Sequence, residues 1–173
     1  MPSTSANSVI DVLDPVTGAP TGLASKAEAF ERALAVRTVH VLLTDDRRRL
    51  LLQQLGRDRD RHQLLWGSSV AAFPRPGEPS DEAARRRLAE ELGLELPLRQ
   101  LGTVQMVDGR SPKFIAVYGG TVDATPKVLE IGHVERVEFW SPSDIDTALE
   151  LEPEQFTDTF RQVYRWWCDR TEP

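Results

Sequence analysis

In the stretch GEPSDEAARRRLAEELGLE, residues 77–95, Arg87 precedes the adjacent carboxylates Glu90 and Glu91 by three and four residues. Neighbouring carboxylates supply the hard oxygen ligands that Mg²⁺ requires. An arginine beside them can hold the oxygens of a diphosphate through charge-assisted bonds. The chemistry such a group supports is cation-assisted handling of a phosphate-bearing ligand, with Glu90 and Glu91 on the metal and Arg87 on the phosphate.

The element that must position them is a helix. Ser80 is placed to cap it, Asp81 and Glu82 fall in its first turn, and Gly93 is a natural stop. Ala84, Leu88 and Leu92 recur at four-residue intervals and form a narrow stripe for burial. Asp81–Arg85 and Glu82–Arg86 are pairs in the favoured orientation, acid first. A solvated face laced with ion pairs accounts for this first half. It does not account for Glu90 and Glu91, which occupy the last turn, where the helix dipole opposes negative charge by roughly 0.3–1 kcal/mol each. Glu91 borders the apolar stripe and is the one expected to be partly buried. A charged face without a metal stays open as the alternative.

Ahead of this helix, SVIDVLD reads as a first strand, PVTGAPTG as turn chemistry and SKAEAFERALA as helical spacing. RTVHVLLTDD and RLLLQQLG flank a polar turn and predict a hairpin. LLWGSSVAAF predicts one more strand, broken by PRPGEP. Beyond the helix, LRQLGTVQMV, KFIAVYGGTV and HVERVEFW predict strands, and SPSDIDTALE predicts a capped short helix. In EPEQFTDTFRQVYRWWCD, residues Phe156, Phe160, Val163, Tyr164 and Trp167 share one helical face, as for a helix docked on a sheet. Strands before and after a central helix predict a single mixed-sheet α/β domain over residues 1–173. Its N-terminal strand-and-helix extension is expected over about 1–36 and its C-terminal helix over about 153–169.

A chain of 173 residues, 40% hydrophobic and 28% charged, can bury a substantial core. Its net charge of −6 gives no general attraction to nucleic acid or anionic membranes. A phosphate-bearing ligand must then be met by a local basic cluster or a metal. The single cysteine, Cys168, allows no internal disulfide and reads as a structural thiol. No leader-like start or membrane-length apolar run is visible, so the expectation is a cytoplasmic protein with neither nucleic acid nor membrane as partner. Oligomeric state is not legible. His40 alternates with apolar residues and reads as core, as does Trp66; His62 and His133 lie where they can approach a pocket.

The charged helix resembles a Nudix box. That motif runs glycine, five residues, glutamate, seven residues, then arginine-glutamate-apolar-any-glutamate-glutamate-any-glycine-apolar. Anchored on Gly93, it matches Glu78, Arg86, Leu88, Glu90, Glu91, Gly93 and Leu94. Ala72 replaces the first glycine, and Arg87 replaces the first glutamate of the acidic cluster. The resemblance implies a Nudix-type α/β/α sandwich with a mixed sheet, a structural ion pair between Glu78 and Arg86, and Mg²⁺ or Mn²⁺ held by Glu90 and Glu91.

The paired arginine, DPVTGAPTG, WGSSVAAFPRPGE and a tryptophan before the final helical region resemble one branch more closely, over residues 8–145. That branch holds the type 1 isopentenyl diphosphate isomerases and hydrolases like them. The likeness implies that Arg87 and Lys26 grip a substrate diphosphate while Glu91 holds the metal against it. It also implies the loss of isomerase chemistry. Ala71 stands where the isomerases carry their proton-transferring cysteine and Phe73 where they carry a metal-binding histidine. Their two upstream histidines fall near Phe30 and Arg37, and their downstream glutamates near Ser111 and Lys113. The function implied is a Mg²⁺-dependent hydrolase of a nucleoside or prenyl-type diphosphate. The alternatives are an inactive diphosphate-binding protein or a residual isomerase. Since Arg87 removes one acidic group, Asp108, Glu135 and Glu138 are the candidates for a third carboxylate, whose convergence on Glu90 and Glu91 would favour hydrolysis.

Overall fold

The stretch AVRTVHVLLT carries apolar residues on both alternating faces towards its end, so it needs cover above and below. In the computed structural model, which describes residues 6–171, it becomes the centre of the sheet; expectations for 1–5 and 172–173 lie outside the described residues. The chain runs β1 (Val9–Leu13), β2 (Pro20–Ser25), α1 (Lys26–Glu31), β3 (Ala35–Thr44), β4 (Leu50–Leu55), β5 (Trp66–Gly67) and β6 (Val70–Ala72). It continues with α2 (Ser80–Leu92), β7 (Arg99–Asp108), β8 (Ser111–Thr121), β9 (Val134–Trp140), α3 (Pro142–Leu151) and α4 (Asp158–Thr171). Val39, Val41 and Leu43 of β3 pack beneath Ala84, Leu88 and Leu92 of α2. Leu42, with Leu50, Leu52 and Val117, packs against Phe160, Val163 and Tyr164 of α4 on the opposite side. A sheet between two helical layers is the α/β/α sandwich expected, and it is mixed: β8 lies parallel to β3, while the other pairings are antiparallel.

The predicted hairpin of β3 and β4 forms, but only next to its turn. Only Thr44 and Leu50 pair, after which the strands diverge. Both edges of β3 are already taken, by β8 from Val36↔Lys113 to Thr44↔Thr121 and by β6 from Val39↔Ala72 to Val41↔Val70. Strand β4 pairs instead with β9. Ser69 fills the gap: its hydroxyl accepts from Leu43 N at 2.9 Å and donates to Leu51 O at 2.6 Å. That is why LLWGSSVAAF does not form the single strand expected but breaks into β5 and β6 around Ser68 and Ser69.

Helix α2 keeps its stripe and its stop, with Gly93 in the left-handed region at φ 63° and its N–H bonded to Ala89 O. Two expectations fail on it. Ser80 is not the cap; Ala83 N reaches Pro79 O, so the helix opens one residue earlier, and the Ser80 hydroxyl accepts from Arg37 instead. Glu82 does not pair with Arg86, because Arg86 forms a two-point bond to Glu78 at 2.7 and 2.9 Å, a stronger arrangement than an exposed pair one turn away. Asp81–Arg85 does form, at 2.6 Å. The final helix begins at Asp158 rather than near 153. Phe156 is held in extended backbone by a bridge to Trp66, with a short 3-10 turn before it.

Candidate functional site

A cleft of about 450 Å³ opens between α2, the segments 59–62 and 130–133, and the ends of β3, β6 and β8. One end is acidic and one is cationic. The acidic end forms because α2 finishes against the segment after β8. Leu129 N donates to Glu91 O at 2.8 Å, which sets Glu130 beside the last turn of the helix. Gly132 then turns the chain at φ 90°, in the left-handed region that favours glycine. Asp58 N and Gly56 N bond to Gly132 O and His133 O, at 2.9 Å each, and lock this turn to the 56–58 segment.

Arg87 lies at the centre of the acidic end. Its Nη1 donates to Glu90 at 2.5 Å and to Glu130 at 3.1 Å. Its Nη2 donates to Glu91 at 2.6 Å and to Glu130 at 3.0 Å. Burial alone would lower its pKa, but the charges of Glu91 and Glu130 outweigh that and raise it, so the guanidinium stays charged. Glu91 is completely buried and also accepts from Gln53 Nε2 at 2.8 Å, with Arg59 at 3.7 Å. Glu90 is more open, and Arg86 joins it at 3.2 Å while bracing on Glu78. Glu91, Glu130 and His133 offer two oxygens and a nitrogen, all within 4.8 Å of one another. Burial, with Arg59 and Arg87 nearby, lowers the His133 pKa to about 4, leaving a neutral imidazole with a lone pair. Two carboxylates and a neutral histidine are a donor set that suits a transition dication such as Mn²⁺, while Mg²⁺ would take the carboxylate oxygens alone.

At the cationic end, Lys113 of β8 is buried and donates to Asp108 at 2.6 Å and Thr159 at 3.3 Å. Arg61 donates to the same carboxylate at 3.0 and 3.3 Å and stacks 4.0 Å from the centre of the Phe30 ring. Burial pushes the Lys113 pKa down, while the Lys113 charge overcomes burial and holds Asp108 below its usual value. His40 lies deeper, its Nδ1 2.8 Å from Ser68 Oγ, and burial lowers its pKa to about 3.

The sequence-predicted residues divide accordingly. Arg87 and Lys26 line the cleft; Lys26 Nζ lies 3.2 Å from Asp60 and 4.9 Å from the centre of the Phe73 ring, and burial lowers its pKa. Glu90 and Glu91 meet at the acidic end but stand behind Arg87 rather than on the cleft wall. His62 and His133 reach the cleft; His40 is satisfied and buried, as expected, yet also lines it. Ala71 and Phe73 line it too, whereas Arg37 is turned away to bond Asp11 at 2.7 Å. Of the proposed third acids, Asp108 is at the far end, and Glu135 and Glu138 pair with Arg57 and Arg136 outside the cleft. The residue that joins Glu90 and Glu91 is Glu130, which the sequence reading missed. It sits in an aperiodic segment, and its one signal was the neighbouring Gly132–His133 turn.

A mixed sheet between helices, with the acidic end of one helix facing a cleft, defines a Nudix-type fold. The NUDIX domain family matches residues 34–166, and the chain belongs to that family. It is 32% identical to an isopentenyl-diphosphate Delta-isomerase of Pectobacterium atrosepticum over 86% of this chain and 87% of that one. It is 33% identical to an isopentenyl-diphosphate Delta-isomerase of Nocardia farcinica over 73% and 75%. Among solved structures, it resembles DR0079 of Deinococcus radiodurans with a TM-score of 0.77 at 22% identity, covering 91% of this chain and 98% of the other. The NUDIX domain of Shewanella oneidensis NrtR, complexed with ADP ribose, gives a TM-score of 0.62 at 22% identity over 86% and 100%. At such identities these two likenesses concern the fold alone. No helix among the described residues is long and apolar enough to cross a membrane.

Proposed function

We propose that the chain is a divalent-metal-dependent hydrolase of an organic diphosphate, of nucleoside or prenyl type, working as one Nudix unit in the cytoplasm. The observation that carries this reading is the convergence of Glu130 with Glu90 and Glu91, which restores the third carboxylate that Arg87 removes from the motif. Glu91, with Glu130 and His133, would hold Mg²⁺ or Mn²⁺, and Glu90 completes the acidic wall. When bound, the ion supplies a Lewis acid that neutralises phosphate charge and helps ionise the attacking water. Arg87 and Lys26, both on the cleft wall, hold the diphosphate oxygens and orient the phosphorus for attack. Water adds to that phosphorus as the bridging P–O bond breaks, releasing a monophosphate. A phosphate-release screen over nucleoside, sugar and prenyl diphosphates with Mg²⁺ and Mn²⁺ tests it; no release from any of them removes the hydrolase.

The isomerase names of the relatives support a competing activity on isopentenyl diphosphate. Against it stand Ala71 and Phe73 on the cleft wall and the location of Cys168, which packs within the α4 cluster. Neither an alanine nor a phenylalanine transfers a proton. Isopentenyl diphosphate is expected to stay unconverted, and dimethylallyl diphosphate above a no-enzyme control would overturn that. A binding-only protein is favoured by a different observation: Arg87 already occupies the carboxylates a metal would need. Tight diphosphate binding with no turnover in the same screen would select it.

A further inference from the structure

The cationic end of the cleft has no role in the hydrolysis just described, and its polar groups are only partly used. Beyond Lys26, which the diphosphate takes, two cationic side chains, Arg61 and Lys113, line it around one carboxylate, Asp108. The two cations share that single carboxylate. Lys113 carries three donor hydrogens and has two partners within hydrogen-bond reach, Asp108 and Thr159. Thr38 lies on the same wall, only 4% exposed, and its hydroxyl has no hydrogen-bond partner among the described residues. A buried hydroxyl without a partner is uncommon and costs stability unless something else satisfies it. Thr159 stands in the first turn of the fourteen-residue helix α4, whose end carries partial positive charge.

We propose that this inner end is a subsite for an oxyanion, a carboxylate or a phosphate, at the far end of the substrate from its diphosphate. The ligand oxygens would take the third hydrogen of Lys113 and the hydroxyl of Thr38, with Arg61 across from them. A hydrocarbon tail placed there would shield a buried ammonium from water and leave Thr38 unsatisfied, so the subsite selects against prenyl groups. The position of the diphosphate rests on the function proposed above; the oxyanion site itself does not.

Two measurements separate these claims. The first is calorimetric titration of the full chain with inorganic phosphate and with acetate, without divalent metal. Thr38→Val, which removes a hydroxyl that has no partner among the described residues, is expected to weaken binding several-fold, and Lys113→Met to abolish it. Absence of binding, or unchanged affinity in Thr38→Val, overturns the subsite even if Lys113→Met fails to fold. The second compares butyl diphosphate, 3-carboxypropyl diphosphate and 3-phosphonopropyl diphosphate in Mg²⁺. At least one anion-ended ligand is expected to bind about tenfold tighter than the butyl one, and which of the two does so identifies the anion. Equal or tighter binding of the butyl ligand overturns the subsite and leaves the diphosphate reading standing. If none of the three binds, the diphosphate reading falls, and the phosphate and acetate titrations decide the subsite alone.

Discussion

The two ends of the cleft handle charge in opposite ways. At the acidic end, most of the charge comes from one helical turn, and three carboxylates close on a single arginine. At the cationic end, the groups come from β3, β8, α4 and the 59–62 segment, and a buried donor is left without a partner among the described residues. The acidic end is therefore self-satisfied at rest, and a metal or ligand must displace an existing bond to enter. The cationic end is short of acceptors, and a ligand entering there meets groups already waiting for one.

The largest effect expected from that contrast concerns the adjacent glutamates. Glu91 is wholly buried and shared by Arg87, Arg59 and Gln53, whereas the Glu90 side chain is 35% exposed. Breaking a buried ion pair leaves its partners uncompensated, at a cost of about 3–5 kcal/mol. An exposed pair contributes at most about 1 kcal/mol. Urea unfolding should show Glu91→Gln several kcal/mol less stable than the parent and Glu90→Gln within about 1 kcal/mol of it. Equal losses would mean that the two carboxylates share one environment.

A smaller effect follows at Arg87. Its guanidinium and a divalent cation compete for the same oxygens of Glu90, Glu91 and Glu130. In Arg87→Ala that competition is gone, and Mn²⁺ affinity by calorimetry is expected to rise about tenfold, or roughly 1.4 kcal/mol. The same variant loses a contact to the diphosphate, so ligand affinity should fall while metal affinity rises. Unchanged or weaker Mn²⁺ binding in Arg87→Ala would show that the arginine supports the metal site instead of rivalling it.

The same contrast explains what could be read from the sequence. The acidic end was legible because its spacing is local: a helix of known period fixes Arg87, Glu90 and Glu91 relative to one another without any knowledge of the rest. The apolar stripe and the Gly93 stop were legible for the same reason. Glu130 was not, because it arrives from a segment without periodicity and is set by one backbone bond, Leu129 N to Glu91 O. The β3–β4 hairpin stays short for a related cause, since local pattern cannot show that β8 and β6 take both edges of β3. Lys113 and Asp108 stand in the sequence as single residues, and no helical or strand period relates one to the other. Their pairing depends on the β7–β8 turn, where Asp108 faces Ser111, and on α4 bringing Thr159 alongside.

The smallest expected effect is at the brace that steadies the acidic end. Arg86 bonds Glu78 through two nitrogens and bridges on to Glu90. The bonds from Arg86 hold the Glu78 carboxyl down to about 2, from an ordinary value of 4.5. A carboxyl lowered on folding contributes stability that is present above its unfolded value and is lost as pH falls from there through its folded value. The contribution should therefore be complete at neutral pH, begin to fade near 4.5 and be gone below about 2. Between about pH 6 and pH 4 the loss from this one group stays under about 1 kcal/mol, because pH 4 lies only just below the unfolded value. Glu78→Gln removes the titrating group, so its stability should fall less steeply than the parent's across that interval in urea titrations at matched ionic strength. Parallel curves would mean that Glu78 keeps the same affinity for its proton in the unfolded chain, and that Arg86 positions the acidic end through Glu90 alone.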